Sequence, residues 1–145
     1  MYKKILVPLD GSERSIKALS HTVALAEKLA AKVTLMHVVP SLPPYVNTAV
    51  DHLGQVQQSI IEELMKNGKE MLEQFVSSIS DKNIEVDTYT VMGQPADEIL
   101  EKANQDNYEL IVIGSRGLGE IKGYIMGSVS NRVSRHASCP VLIIR

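Results

Sequence analysis

Glycines stand at positions 114, 117, 119, 123 and 127, five of the nine in a chain of 145 residues. Glycine lets successive backbone N–H groups turn towards an anion with no side chain in the way. The hydroxyls of Ser128 and Ser130 follow directly, and Arg116 and Lys122 add positive charge in the same stretch. A helix starting near Ser128 would aim its unpaired amides and its positive dipole end at the same point. This is the chemistry of a polyphosphate cradle, and residues 114–130 are read as one. The spacing excludes two common versions. No G-x-x-x-x-G-K-[ST] is present, so this is not a Walker A loop. Gly117-Leu118-Gly119-Glu120-Ile121-Lys122 begins like G-x-G-x-x-G but reaches its next glycine, Gly123, one place late. A dinucleotide fingerprint would also follow the first strand of the fold, which argues against a dehydrogenase.

Other reactive side chains offer less. Asp10 sits before Gly11 at the end of an apolar run, where it could contact a ligand, bind a metal, act as a base or simply form a turn. No second carboxylate is tied to it by spacing, and Asp51 falls in a stretch read as loop. Phosphoryl transfer wants a positioned metal, a base and a charge clamp together, and only fragments of that set are visible. No catalytic residue is therefore assigned, and no metal site. His21, His37, His52 and His136 lack ligand spacing. His37 reads as a hydrogen-bonded packing histidine. Cys139 has no base nearby in sequence and is not read as a nucleophile.

The elements that would position these residues follow from hydrophobic periodicity. Apolar runs at 5–9, 110–113 and 141–144, and the mainly apolar stretch 33–39, predict buried strands. The stretch 84–91 alternates apolar and polar and so predicts a strand with one solvated face, towards a sheet edge. Three- and four-residue apolar steps predict helices over 13–31 and 55–80, a third from Pro95 and a fourth from near Ser128. Ser12 is suited to cap the first of these. Residues 41–54, with Pro43 and Pro44, read as an irregular, mobile loop. Strand and helix alternate throughout, with no linker or repeat. The expected fold is one α/β domain over residues 1–145: a doubly wound, open, five-stranded parallel sheet of order 3-2-1-4-5, Rossmann-like, with helices on both faces. Its topological switch point lies between strands one and four, at Asp10 and Gly114.

Composition narrows the function class. A formal net charge of −2, no Trp and one Phe leave neither an electrostatic footprint nor a stacking platform for nucleic acid. No apolar run approaches a membrane span. The single cysteine fits a reducing compartment, so a soluble, cytoplasmic protein is expected. The last strand is short, apolar and at an edge, which predicts pairing with a second copy.

Gly114-x2-Gly117-x9-Gly127-Ser128 resembles the G-2x-G-9x-G-[S/T] signature of the ATP-binding universal stress proteins. The resemblance spans the chain, including the opening Lys-Lys-Ile-Leu-Val-Pro-Leu-Asp-Gly-Ser, the internal Leu-Met-His-Val-Val and the closing Ser-Cys-Pro-Val-Leu-Ile-Ile. It implies an ATP site and a homodimer through the last strand. Pro8 and Asp10 match the first-strand end that meets the nucleoside, with Asp10 near the ribose or the metal–phosphate region. Val38 matches the position whose backbone recognises adenine. Gly114, Arg116 and Gly117 match the near half of the phosphate loop; Gly127, Ser128, Val129 and Ser130 match the far half, donating from backbone and hydroxyl. Mg²⁺ or Mn²⁺ could accompany the phosphates. The expected function is a nucleotide-dependent stress-response module; a slow ATP hydrolase or phosphotransferase using Asp10 and a divalent metal is the alternative. A flavin or another nucleotide on the same architecture is a third, weaker one.

Overall fold

The computed structural model describes residues 1–41, 51–118 and 126–145. Five strands and four helices alternate: β1 (Lys4–Pro8), α1 (Glu13–Leu29), β2 (Lys32–Pro40), α2 (Asp51–Ser78), β3 (Val86–Gly93), α3 (Pro95–Gln105), β4 (Leu110–Gly114), α4 (Ser128–His136) and β5 (Val141–Ile144). All strand pairs are parallel, in the order β3-β2-β1-β4-β5. The doubly wound reading therefore holds, with β1 and β4 adjacent at the centre and β3 and β5 at the edges.

Burial explains the order. Every residue of β4 is buried, as are Ile5, Leu6 and Val7 of β1, because both faces of these strands are covered. Side chains alternate across the sheet. Ile5, Val7, Val33, Leu35 and Val112 pack on one face with Ala18, Leu19 and Val23 of α1 and Leu72 of α2. Leu6, Met36, Ile111 and Ile113 pack on the other with Ile99 and Ala103 of α3 and Val133 of α4. At the edge, Asp87, Thr88 and Met92 of β3 are exposed.

Local signals set the helix ends. Ser12 caps α1, its hydroxyl accepting from the Ser15 amide at 3.2 Å while the Ser15 hydroxyl donates back to the Ser12 carbonyl at 2.9 Å. Pro95 opens α3, where its missing N–H costs nothing.

Several boundaries differ from expectation by a few residues. α2 begins at Asp51 rather than near Gln55, so Asp51 belongs to a helix and not to the loop; residues 42–50 lie outside the described residues. β3 runs from Val86 rather than Ile84, because its register follows β2, where Val33 pairs Val86 and Pro40 pairs Gly93. α1 ends at Leu29, with Ala30 in the left-handed conformation at φ 51°.

Gly114 ends β4 tight against the first turn of α1. A Cβ there would lie 2.8 Å from the Arg14 carbonyl carbon and 2.9 Å from the Arg14 Cβ. Gly114→Ala is expected to cost about 1–3 kcal/mol of stability, the range for overpacking. Denaturant titration should show a lower midpoint at unchanged slope; a wild-type midpoint would mean that α1 yields freely.

Candidate functional site

The carboxyl ends of β1, β2 and β4 open into a cavity of about 270 Å³ at the switch point. Nine of the ten residues singled out from the sequence line it: Pro8, Asp10, Val38, Gly114, Arg116, Gly117, Gly127, Val129 and Ser130. The tenth, Ser128, is exposed at the first position of α4. Gly119, Lys122 and Gly123 of the presumed cradle lie outside the described residues. The wall also includes Leu9, Ser15, Met36, His37, Pro40, Pro95, Ile99, Ile113 and Leu118. Leu9, Met36, Pro40 and Ile113 could have been found by following every central strand to its carboxyl end. Pro95 and Ile99 have no local signal, since α3 reaches the cavity only through packing.

Asp10 joins the two sides of the site. Its Oδ1 accepts from the Ser12 amide at 2.9 Å, and its Oδ2 accepts from the Leu118 amide at 2.9 Å, 108 residues away. Gly117 is what allows this approach, since a Cβ there would stand 2.5 Å from Asp10 Oδ2. Burial pushes the Asp10 carboxyl up, but the hydroxyl and amide of Ser12, the Leu118 amide and Ser15 outweigh it, leaving its pKa below the usual 3.8. Asp10 is thus a charged acceptor and a weak base.

The far wall is the start of α4. Gly127 is its N-cap, with φ −76° and ψ 167° and no side chain to cap the helix. The Asn131 amide makes the first intrahelical bond, to the Gly127 carbonyl at 3.0 Å. The amides of Val129 and Ser130 therefore have no partner within the helix. The Gly127 amide donates to the Ser115 carbonyl at 2.6 Å. The Ser130 hydroxyl also donates to that carbonyl, at 2.7 Å, and lies 3.1 Å from the Gly127 carbonyl. That hydroxyl is buried and committed to bracing the loop, which leaves the backbone amide as the donor Ser130 has for a ligand.

Val38 contributes its main chain. Even-numbered β2 residues turn their N–H and C=O towards β1, as the bond from Lys32 to the Lys3 carbonyl shows. β1 ends at Pro8, and Gly11 turns the chain away at φ 83°. Among the described residues no backbone group of β1 meets Val38, so its N–H and C=O border the cavity side by side. Together the walls offer a donor–acceptor pair at one end, a carboxylate in the middle and helix amides with Arg116 at the other.

A family model described as "Universal stress protein family" matches residues 1–145. The chain belongs to the universal stress protein family. Universal stress protein YxiE of Bacillus subtilis is 36% identical, with 100% of each chain covered. Among solved structures, UspA from Lactobacillus plantarum superposes with a TM-score of 0.90 at 26% identity, covering 99% of this chain and 98% of that one. A universal stress protein from Archaeoglobus fulgidus, solved in complex with dAMP, gives a TM-score of 0.68 at 26% identity over 99% of this chain and 98% of that one. The universal stress protein fold thus frames the cavity described above. Among the described residues, no helix is long and apolar enough to cross a membrane.

Proposed function

We propose that the chain binds ATP in this cavity and works as a nucleotide-dependent signalling module of the stress response. The observation that carries the reading is the convergence of Val38, Asp10 and the α4 amides on one cavity, in the order that a base, a ribose and phosphates require. Adenine meets the Val38 backbone pair. The ribose hydroxyls donate to the Asp10 carboxylate. The phosphates lie against Arg116 and the positive end of α4. The dAMP bound by the Archaeoglobus fulgidus relative supports an adenine nucleotide.

Among the described residues Asp10 is the only carboxylate on the cavity wall, and no cluster of three His, Cys, Asp or Glu occurs. A Mg²⁺ or Mn²⁺ ion accompanying ATP would take most of its oxygen ligands from phosphate and water, with Asp10 as the chain's own contribution. The depressed pKa of Asp10 favours holding over cleaving, because a general base works best with a pKa near the working pH. Labelled ATP incubated with the protein and Mg²⁺ or Mn²⁺ should bind and stay intact over hours. Turnover of about 1 s⁻¹ or faster would favour the hydrolase reading instead.

Two copies pair through β5. This strand is an edge of the sheet, and its Leu142 is 41% exposed, an apolar edge of the kind that proteins cover. Sedimentation at micromolar concentration should show a dimer, and Leu142→Lys should shift it to monomer. A clean wild-type monomer would contradict the pairing.

A further inference from the structure

The β1–β2 ladder stops one rung early, and a side chain marks the place. Along β2, Val33 donates to the Glu85 carbonyl at 2.9 Å and Ser41 to the Gly93 carbonyl at 3.1 Å, so odd-numbered residues face β3. Even-numbered residues face β1. The last rung there runs from the Leu9 amide to the Met36 carbonyl at 2.7 Å. In a parallel ladder the next would run from the Val38 amide to the Leu9 carbonyl. Among the described residues that bond is not made. The Leu9 carbonyl is instead bonded to His37 Nδ1 at 2.8 Å. A carbonyl oxygen only accepts, so Nδ1 carries the proton.

We propose that His37 is a positioning residue that sets nucleobase specificity: it draws the Leu9 carbonyl to its Nδ1, away from the Val38 amide, and so keeps that amide out of the sheet and open to the ligand. The proposal rests on the adenine-nucleotide reading above. Adenine offers ring N1 as acceptor beside a 6-amino donor, which matches the N–H and C=O of one residue. In the same pose guanine sets its O6 against the Val38 carbonyl and its N1–H against the amide. Polar mismatches of this kind discriminate strongly, because buried groups are left unpaired.

The imidazole is held in place from behind. A Cβ at Gly68, in the middle of α2, would lie 2.5 Å from His37 Cδ2 and 3.3 Å from Thr90 Cγ2. A mid-helix glycine costs about 1 kcal/mol relative to alanine; here it clears the space that the ring fills. His37 therefore ties β1, β2 and α2 together beside the cavity.

The test compares wild type with His37→Phe and His37→Asn, by amide hydrogen exchange without ligand and by affinity for AMP and GMP. In wild type the Val38 amide should exchange at least about tenfold faster than the Met36 amide, which is in the ladder. Phenylalanine keeps the ring but donates nothing, so Val38 should close onto Leu9. Its exchange should then slow about tenfold, and the preference for AMP over GMP should fall by about tenfold or more. Asparagine carries a donor nitrogen where Nδ1 sits and should restore both properties. A Val38 amide already protected in wild type would overturn the proposal even if the variants failed to fold. So would an undiminished AMP preference in His37→Phe. Failure of wild type to bind AMP would overturn the adenine reading instead, while the ligand-free exchange comparison would still decide whether His37 keeps Val38 out of the ladder.

Discussion

Gly127→Val is expected to weaken ATP binding by about a hundredfold or more, roughly 2.8 kcal/mol, while leaving the fold intact. Gly127 is buried, lines the cavity and immediately precedes the first turn of α4. Its φ of −76° and ψ of 167° lie in the extended region open to any residue, including a β-branched one. The backbone therefore accepts valine, and the amide bond to Ser115 can persist. Because Gly127 lines the cavity next to Val129 and Ser130, the new side chain is expected to take its volume from the space where phosphate would lie. The loss should be graded, large for ATP and small for adenosine, which has no phosphate to displace. Calorimetry with both ligands checks this. Equal losses would point to collapse of the whole cavity, and unchanged ATP affinity would remove the α4 terminus from the site.

The second large effect is expected at Asp10. An asparagine has one carbonyl oxygen for two backbone donors, the amides of Ser12 and Leu118, and it sets an NH₂ group against one of them. Leu118 is exposed, so its amide can turn to water and global stability should change little. What is lost is the tie between the β1 and β4 loops, together with a charge-assisted bond to the ligand, worth about 1.5–3 kcal/mol. Asp10→Asn should weaken ATP binding by about tenfold to a hundredfold; wild-type affinity would refute the role.

The same carboxylate gives a pH signature. Its folded pKa lies below 3.8, so its stabilising contribution is fully present above the unfolded value of about 3.9 and is lost as pH falls through the folded value. Wild-type loop docking, followed by the Leu118 amide signal, should be flat from neutral pH to about 5 and decay below about 4. In Asp10→Asn that acid step should be missing.

How much of this was readable beforehand depends on how local each cause is. The strand order was legible because β1 and β4 are apolar on both faces, while residues 84–91 alternate. The cap at Ser12 and the opening of α3 at Pro95 are written in single residues. The start of α2 was not legible: no residue from 54 to 67 is buried, so this half of the helix has no buried apolar face to announce it, and Gly54 mimics a turn. The glycine spacing located the loop but not the reasons for each glycine. Gly114 makes room for Arg14 and Gly117 makes room for Asp10, and both contacts exist only once distant segments meet. The Ser130 hydroxyl was expected to face phosphate; it braces Ser115, a partner that only the folded loop supplies. Val38 was tied to adenine by family resemblance alone. The backbone pair left over where β1 ends, which the proposal uses for adenine, needed the register.

The most direct test of the nucleotide site is an amide-resolved NMR titration of the isotope-labelled protein with ATP. The amides of Val38, Gly117, Leu118, Val129 and Ser130 should shift together along one saturating curve, with those of Lys32 and Val86 at the opposite end of the sheet unmoved. Saturable ATP binding that leaves the Val129 and Ser130 amides unshifted, or no binding at millimolar ATP, would contradict it.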